Sequence, residues 1–517
     1  MISGQALIIY LFFFWGSSLL TAVESSFQEK HAAAAGPEML PRSGQNPREG
    51  GDPASVATTS TSNLNCREAT SASQFSSQKS YNLGNLIDLA LNNNPSTRAA
   101  WSQAKAASAS VGEARSLYYP WVKTGFTGGY DQNYLPLVAG PNVYNRTQAT
   151  VFFSLEYILL DFGRRDADVA RTIATFNALG LTYQRKLQEI IFAVQKVYFA
   201  HEAALWKKKA AETNLAFLST LADMIARENV TGLSAGPELL KARKQVLEAQ
   251  YEVEAATAKV KNTLGELCVA TGLPANTPLQ ITTTERPVST KKLRGDANEL
   301  VRRALVFRPD IAARVAELKA SKEATRRAIA DFFPVIKLHS DYINSTFGYT
   351  ANDGTLNGTH NGNGNSGVNG FVMASWDIFD GLERIFKVRQ RQEEDKVAER
   401  NLEQTKLNTT RDVWTSYNDS LTAEQRVNFA EGYVASAKET FDAVKTAVET
   451  GLTNVTDFAE SGSNVANSDS ELASAVADYS TALALLAFSV GTTTPAPSRV
   501  PQDLGKPGEL KLKAFSF

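Results

Sequence analysis

The chain carries one set of landmarks twice. Ala90-Leu91 leads into Asn94-Pro95, and Ala304-Leu305 leads into Arg308-Pro309, 214 positions later. Tyr119-Pro120 and Phe333-Pro334 stand at the same separation. Past a variable loop the separation becomes 219, which relates Asp161 to Asp380, Val194 and Tyr198 to Val413 and Tyr417, Gly232-Leu233 to Gly451-Leu452, and Gly272 to Gly491. A length change confined to one loop is what a duplicated unit with a tolerant loop produces. The first repeat is expected over 81–272 and the second over 297–491, with a linker over 273–296.

Within each copy one stretch is free of proline for a long distance. Residues 164–230 contain only Gly180 as an interruption, and 382–449 only Gly432. Leu187, Ile190, Ile191, Val194, Val197 and Tyr198 recur at helical spacing. A helix of about 67 residues is roughly 100 Å long, which no compact domain needs, so a coiled-coil element is expected. The flanking stretches 85–117 and 236–271, and then 297–331 and 456–490, are each about half that length. Two of them stacked end to end would lie beside one long helix; the alternative is an ordinary folded-back bundle.

Between the first short helix and the long one the period changes from helical to alternating. A β-hairpin is expected over 121–158, where Val122, Thr124, Phe126 and Tyr130 share one side of the first strand and Val151, Phe153, Leu155 and Tyr157 alternate against Phe152, Ser154 and Glu156 in the second. The second is expected over 335–379, with Val372, Ala374 and Trp376 alternating against polar neighbours. Strands of about nine to twelve residues suit a membrane-spanning sheet. The polar stretch 344–367 reads as a solvated tip. Pro120 and Pro334 fall at the helix-to-strand junction, where a missing N–H costs least, and Asp161 with Gly163 and Asp380 with Gly381 mark the return to helix. Four strands cannot close a barrel, for which about eight are needed, and lipid tolerates no open sheet edge. If the strands span a membrane, the protein is an oligomer, and three chains would supply 12 strands and 12 helical columns. The alternative is a soluble sheet beside a helical bundle.

The remaining features set limits. With 53 basic and 54 acidic residues there is no excess charge that argues for nucleic acid. Cys66 and Cys268 do not decide the compartment. Ala6 to Leu20 is one apolar run of signal-peptide length, placing a signal over 1–23, although no basic residue precedes it. Residues 24–80 read as a disordered low-complexity linker and 492–517 as an extended tail. No nucleophile, metal or phosphate motif stands out, so neither an enzyme nor a cofactor or metal site is expected; His201 reads as an ordinary helix histidine and Lys207 to Lys209 as a solvated face.

One polar pattern recurs at the ends of the long helices. Gly232-Leu233 and Gly451-Leu452 mark tight turns, and six residues past each glycine stands an acid, Glu238 or Asp457, with Glu460 one turn further. Acids in a first helical turn are favoured by the dipole, so capping explains them locally. In a threefold tube each would recur as a ring of carboxylates, attractive to cations.

The ordered set Leu86-Ile-Asp-Leu-Ala-Leu to Pro95, Tyr119-Pro120, Leu160-Asp-Phe-Gly163, Phe379-Asp-Gly381 and the two Gly-Leu turns resembles the TolC-like outer-membrane efflux family over about 81–491. The resemblance implies a mixed α/β membrane protein with long coiled-coil helices and four transmembrane strands per chain. It also implies a homotrimeric 12-stranded β-barrel in outer-membrane lipid, continuing into a 12-helix α-barrel in the periplasm. It further implies passive conduction and docking to a periplasmic adaptor, near 226–236 and 446–455, and to an inner-membrane efflux pump or ABC secretion transporter. Glu238, Asp457 and Glu460 align with the family's acidic periplasmic gate. Thr453 and Val448 stand where a well-known member has the Arg and Tyr of its latch, so that latch is not expected here. The competing reading is a non-conducting trimeric coiled-coil envelope scaffold or adhesin.

Overall fold

The structure is a computed structural model and describes residues 80–137, 140–230, 236–282, 296–351, 359–450 and 452–493. The expected signal, most of the linker before residue 80, and the tail from 494 lie outside these residues, as do Gly232, Leu233 and Gly451.

The first repeat runs β1 (Ser80–Tyr81), α1 (Leu83–Asn93), α2 (Pro95–Ser116), β2 (Trp121–Leu137), β3 (Gly140–Leu160), α3 (Arg164–Val230), α4 (Gly236–Ala270). After β4 (Gln280–Ile281), the second gives α5 (Ala297–Phe307), α6 (Pro309–Ala330), β5 (Val335–Ala351), β6 (Thr359–Ser375), α7 (Glu383–Glu449) and α8 (Val455–Val490). Residue 80, the last of the expected linker, and residues 280–281 of the expected connection are strand: β1 and β4 pair in parallel, stitching the start of the first repeat to its end.

The short helices expected over 85–117 and 297–331 are each two helices. Asn94 and Arg308 sit in extended backbone ahead of Pro95 and Pro309, which open the next helix. A residue before proline is driven out of the helical region, whereas proline itself is well placed at a first turn. Opposite each break lies the left-handed glycine that ends the partner helix, Gly272 (φ +79°) or Gly491 (φ +83°). In the first repeat Asn94 donates its side-chain amide to the Ala270 carbonyl at 3.1 Å. In the second, Arg308 takes the same role toward Ser489 at 3.4 Å and is held by Asp310 and Asp412. Arg185 and Gln188 of α3 donate to the Phe488 and Gly491 carbonyls, completing the cap of α8. Burial, then the charge of Arg308, pulls the Arg185 pKa down to about 10.

The long strands form one antiparallel sheet in the order β2-β3-β5-β6. They exceed the expected length, at 17, 21, 17 and 17 residues. Of the stretch 344–367, Asn344 to Ala351 is not loop but continues β5, and Thr359 to Gly367 belongs to β6, paired as far as Thr350 with Thr359. Ladder bonds use the main chain, so a Gly- and Asn-rich arm can extend a hairpin without any apolar alternation.

Below the sheet the helices form four columns in matching order: α2 then α4, α3, α6 then α8, and α7. Each strand thus continues a column, and both layers end on the same two sides, β2 with α2 and α4, and β6 with α7. Where α1, α3 and α4 meet, Leu86, Ala90, Ile190, Val194, Leu267 and Cys268 form an apolar core. Among the described residues α8 is the one helix long and apolar enough to cross a membrane. Its composition is explained by position, since it is wedged between α3 and α7.

His201 of α3 is buried, with Nδ1 2.9 Å from the Thr263 hydroxyl of α4, and Thr263 is itself fully buried. Burial pulls the imidazole below its ordinary value of 6.5, a hydrogen bond with the Val260 backbone opposing. The unfolded chain therefore takes up a proton first as pH falls, so this stabilisation is complete above about 6.5 and is lost as pH drops through the folded value. His201→Gln should flatten the acid limb of the thermal unfolding midpoint between about pH 7.5 and 5. An unchanged pH slope would remove His201 from the acid response.

Candidate functional site

The strand-to-helix junction is built identically in both repeats. Asp161 accepts hydrogen bonds from the Arg165 backbone N–H at 2.8 Å and from Arg165 Nε at 3.0 Å. Asp380 accepts the same pair from Arg384, at 3.1 and 2.5 Å. Each arginine reaches further to two main-chain carbonyls, Leu117 and Ile158 in the first repeat, Asp331 and Asp377 in the second. Each also lies over an aromatic ring, Tyr118 at 4.8 Å or Phe332 at 5.4 Å. A guanidinium presents five donors in a fixed fork, which lets one side chain tie helix start, strand end and preceding helix together. The turn demands left-handed backbone at two successive residues, Phe162 and Gly163 (φ +52° and +88°), and Gly381 and Leu382 (φ +68° and +74°). The two arginines escape a reading confined to turn chemistry. Their signal was the Asp-to-Arg spacing of four residues after each hairpin.

Pro120 and Pro334 each stand one residue before a long strand, at Trp121 and Val335. Between the repeats, Asp331 draws together Arg164 and Lys387, each at 2.9 Å, and Asp168 pairs with Arg327.

At the far end of the columns, α8 opens with Asn454, whose side chain accepts from the Asp457 N–H at 2.8 Å. Thr453 donates to the Asp457 carboxylate at 2.5 Å. Asp457 and Glu460 are exposed in the first turns of α8, and Glu238 of α4, also exposed, borders a small crevice with Val455, Thr456 and Ala459. Leu452 is 83% exposed, and its N–H returns to the Ala447 carbonyl at 2.8 Å, the long bond of a helix-ending motif. Just above this end, Phe217 of α3, Phe441 of α7 and Phe458 of α8 form a three-ring cluster with centroids 5.1–5.6 Å apart. Gly462 leaves the space the Phe217 ring occupies: a Cβ there would stand 2.1 Å from it. No periodicity in the sequence distinguishes this cluster, because its members come from three helices.

Hairpins long enough to cross a membrane run directly into helices of 67 residues, about 100 Å each, a class of architecture that joins a spanning sheet to long helical columns. The chain belongs to the outer membrane efflux protein family, whose model matches residues 86–273 and 300–492, one match to each repeat. Protein CyaE of Bordetella pertussis is 25% identical over 335 residues, covering 64% of this chain and 68% of that protein. A membrane protein from Pseudomonas aeruginosa shares the fold with a TM-score of 0.68 at 21% identity, over 79% of this chain and 93% of its own. The Campylobacter jejuni CmeC outer membrane channel gives 0.68 at 17% identity, over 80% and 86%. The protein is an outer-membrane exit channel of an efflux or secretion system, extending into the periplasm.

Proposed function

We propose that three copies of the chain close their open sides on one another into a 12-stranded barrel and a tube of twelve helical columns, through which cargo leaves passively. The observation that carries this is the coincidence of the open edges. β2 and β6 end the sheet on the same sides where α4 and α7 end the helical layer. Along α7, Leu407, Trp414 and Leu421 are exposed at intervals of seven, and along α4, Leu240 and Leu247 repeat that interval. A heptad row of exposed apolar side chains is a coiled-coil seam without its partner, and an unpaired strand edge cannot remain in lipid. The number three rests on the family resemblance.

In this assembly Asp457 and Glu460, with Glu238 beside them, recur as carboxylate rings at the periplasmic mouth, where they attract cations and resist close approach. The helix turns around 226–236 and 446–455 present the adaptor-binding surface, and an inner-membrane pump or ABC secretion transporter supplies the driving force. The test is the mass of the detergent-solubilised oligomer combined with single-channel recording. A trimer that conducts is expected, and replacing both Asp457 and Glu460 with Ala should weaken divalent block and cation preference. A well-formed trimer with no conductance would return the protein to the scaffold reading, whereas unchanged currents in the double variant would remove the two acids from the gate.

A further inference from the structure

Inside one chain the first repeat meets the second along three contacts: β3 pairs with β5, and α3 packs on α6 and on α8. The counterparts of β3 and α3 in the second repeat are β6 and α7, which form one open side. The counterparts of β5, α6 and α8 in the first repeat are β2, α2 and α4, which form the other. The internal joint is therefore a template for a joint between copies, with the repeat separations of 214 and 219 as the conversion. Beneath the sheet, Asp168 of α3 binds Arg327 of α6. Their counterparts are Lys387 of α7 and Glu113 of α2, again an opposite pair but with the signs exchanged. Glu113 is exposed, and Lys387, bound to Asp331 at 2.9 Å, keeps 42% of its side chain accessible. Lower down, Thr213 of α3 and Ala466 of α8 border one cavity, beside the Phe217 ring that fills the space left by Gly462. Their counterparts are Gly432 of α7, where a Cβ would meet nothing, and Leu247 of α4, 65% exposed. Bulk that α3 supplies inside the chain is thus supplied by α4 across the copies. In the sheet, the rungs Leu155–Ser340, Phe153–Tyr342 and Val151–Asn344 convert to Ala374–Phe126, Val372–Gly128 and Gly370–Tyr130, a bulky residue against a small one each time.

We propose that each copy joins the next through this repeated joint, β6 on β2 and α7 on α2 and α4, and that the exchanged charges make a first repeat the partner that α7 accepts. This rests on the closed-ring reading of the preceding subsection and adds to it which residues meet. Lys387 set against Glu113 of the next copy gains an opposite charge. Set against Arg327, which holds that place in a second repeat, it would meet a like one, and Asp168 is equally unsuited to Glu113. Like charges on neighbouring helical positions cost about as much as an opposite pair contributes, so the exchange separates right junctions from wrong ones by more than the pair alone is worth. The register is fixed by the same rungs. Phe126, Tyr130 and Val372 all stay on the face that carries Val122 and Phe153. A slip of one residue would put them on opposite faces. A slip of two would set Phe126 against Val372 and leave Gly128 against Gly370, crowding one rung and emptying the next.

The test uses the full-length protein in detergent. Glu113→Cys combined with Lys387→Cys should be linked by a short bismaleimide into covalent multimers up to the size of the whole ring. Phe126→Cys combined with Ala374→Cys should do the same as a disulfide under mild oxidation, and Phe126→Cys with Val372→Cys should not. Wild type, with its own Cys66 and Cys268, and the single variants set the background. Glu113→Arg, which gives α2 the charge that α6 has at that place, should lower the oligomer fraction at least about two-fold at low salt, and added salt should restore it, because exposed charges are screened. Glu113→Gln should fall between that variant and wild type. An intact oligomer in which either expected cysteine pair fails to link would overturn the proposal while leaving the ring. So would a Glu113→Arg oligomer unchanged at low salt, or a loss that salt does not restore. A wild-type chain that stays monomeric would overturn the ring itself, and this joint with it.

Discussion

Replacing Arg308 with Met should cost the folded chain about 3 kcal/mol, more than any surface substitution on the same helices. The side chain is 6% exposed and makes two bonds to Asp310, at 2.7 and 3.0 Å, one to Asp412 at 3.4 Å and one to the Ser489 carbonyl at 3.4 Å. Burial works against its charge, yet Asp310 and Asp412 outweigh it and raise its pKa. Burial likewise opposes ionisation of Asp310, but Arg308 holds its carboxyl below the usual carboxylate range. Removing one member of such a group strands the others, which is why breaking a buried pair costs about 3–5 kcal/mol while replacing the whole pair with apolar groups is often neutral. The lower end applies because Asp310 and Asp412 keep some access to water and Asp412 also meets Arg411 at 3.0 Å. Arg308→Met combined with Asp310→Leu should therefore recover part of the loss. Thermal unfolding of detergent-solubilised protein reads both; a single variant within about 0.5 kcal/mol of wild type would show that the cluster is decorative.

Gly272→Ala should be comparably damaging, and clearly worse than Gly491→Ala. Both glycines hold left-handed backbone, for which a Cβ costs roughly 1–2 kcal/mol. The difference lies in what the added carbon meets. At Gly272 it would stand 2.9 Å from the Asn93 carbonyl and Asn94 Cα, main-chain atoms that cannot rotate away; at Gly491 the nearest atoms, on Arg308, are 3.2 Å off. Overpacking of that kind adds about 1–3 kcal/mol. At Gly381, where a Cβ would meet nothing, only the backbone cost applies. Unfolding midpoints that failed to rank Gly272 below Gly491, and Gly491 below Gly381, would separate destabilisation from the contacts described.

The long helices were legible because proline is missing from 164–230 and 382–449, and nothing but a continuous helix absorbs such a stretch of helix formers. The breaks at Asn94 and Arg308 fall on repeat landmarks, but helical periodicity runs through both, and only the proline that follows each marks where the backbone leaves the helix. The strands run past their alternating segments because apolar alternation marks only the part with a sided face and falls silent where the ladder continues through Gly, Asn and Thr. The turn residues Asp161 and Asp380 were legible from their chemistry; their arginine partners needed the spacing between strand and helix to be read as a single motif. The positions of Asp457 and Glu460 at the start of α8 follow from counting past a glycine, but what faces two exposed carboxylates depends on the assembly, which the periodicity of one chain does not encode.

The shared placement of the open edges has a consequence for biogenesis. A chain that presents an unfinished ladder and an unfinished seam along the same two sides has no stable resting form of its own in a bilayer. In the closed ring proposed above, insertion and assembly are then one event, committed only when the last copy arrives. A copy able to join on its β2 side but blocked along β6 would be accepted into the growing ring and would leave it unable to close. If the ring closes as proposed, a β6 variant co-expressed with the wild-type chain should do harm beyond its share of the population, whereas a variant disrupted in the core of one repeat, which never reaches the ring, should be masked by the wild type.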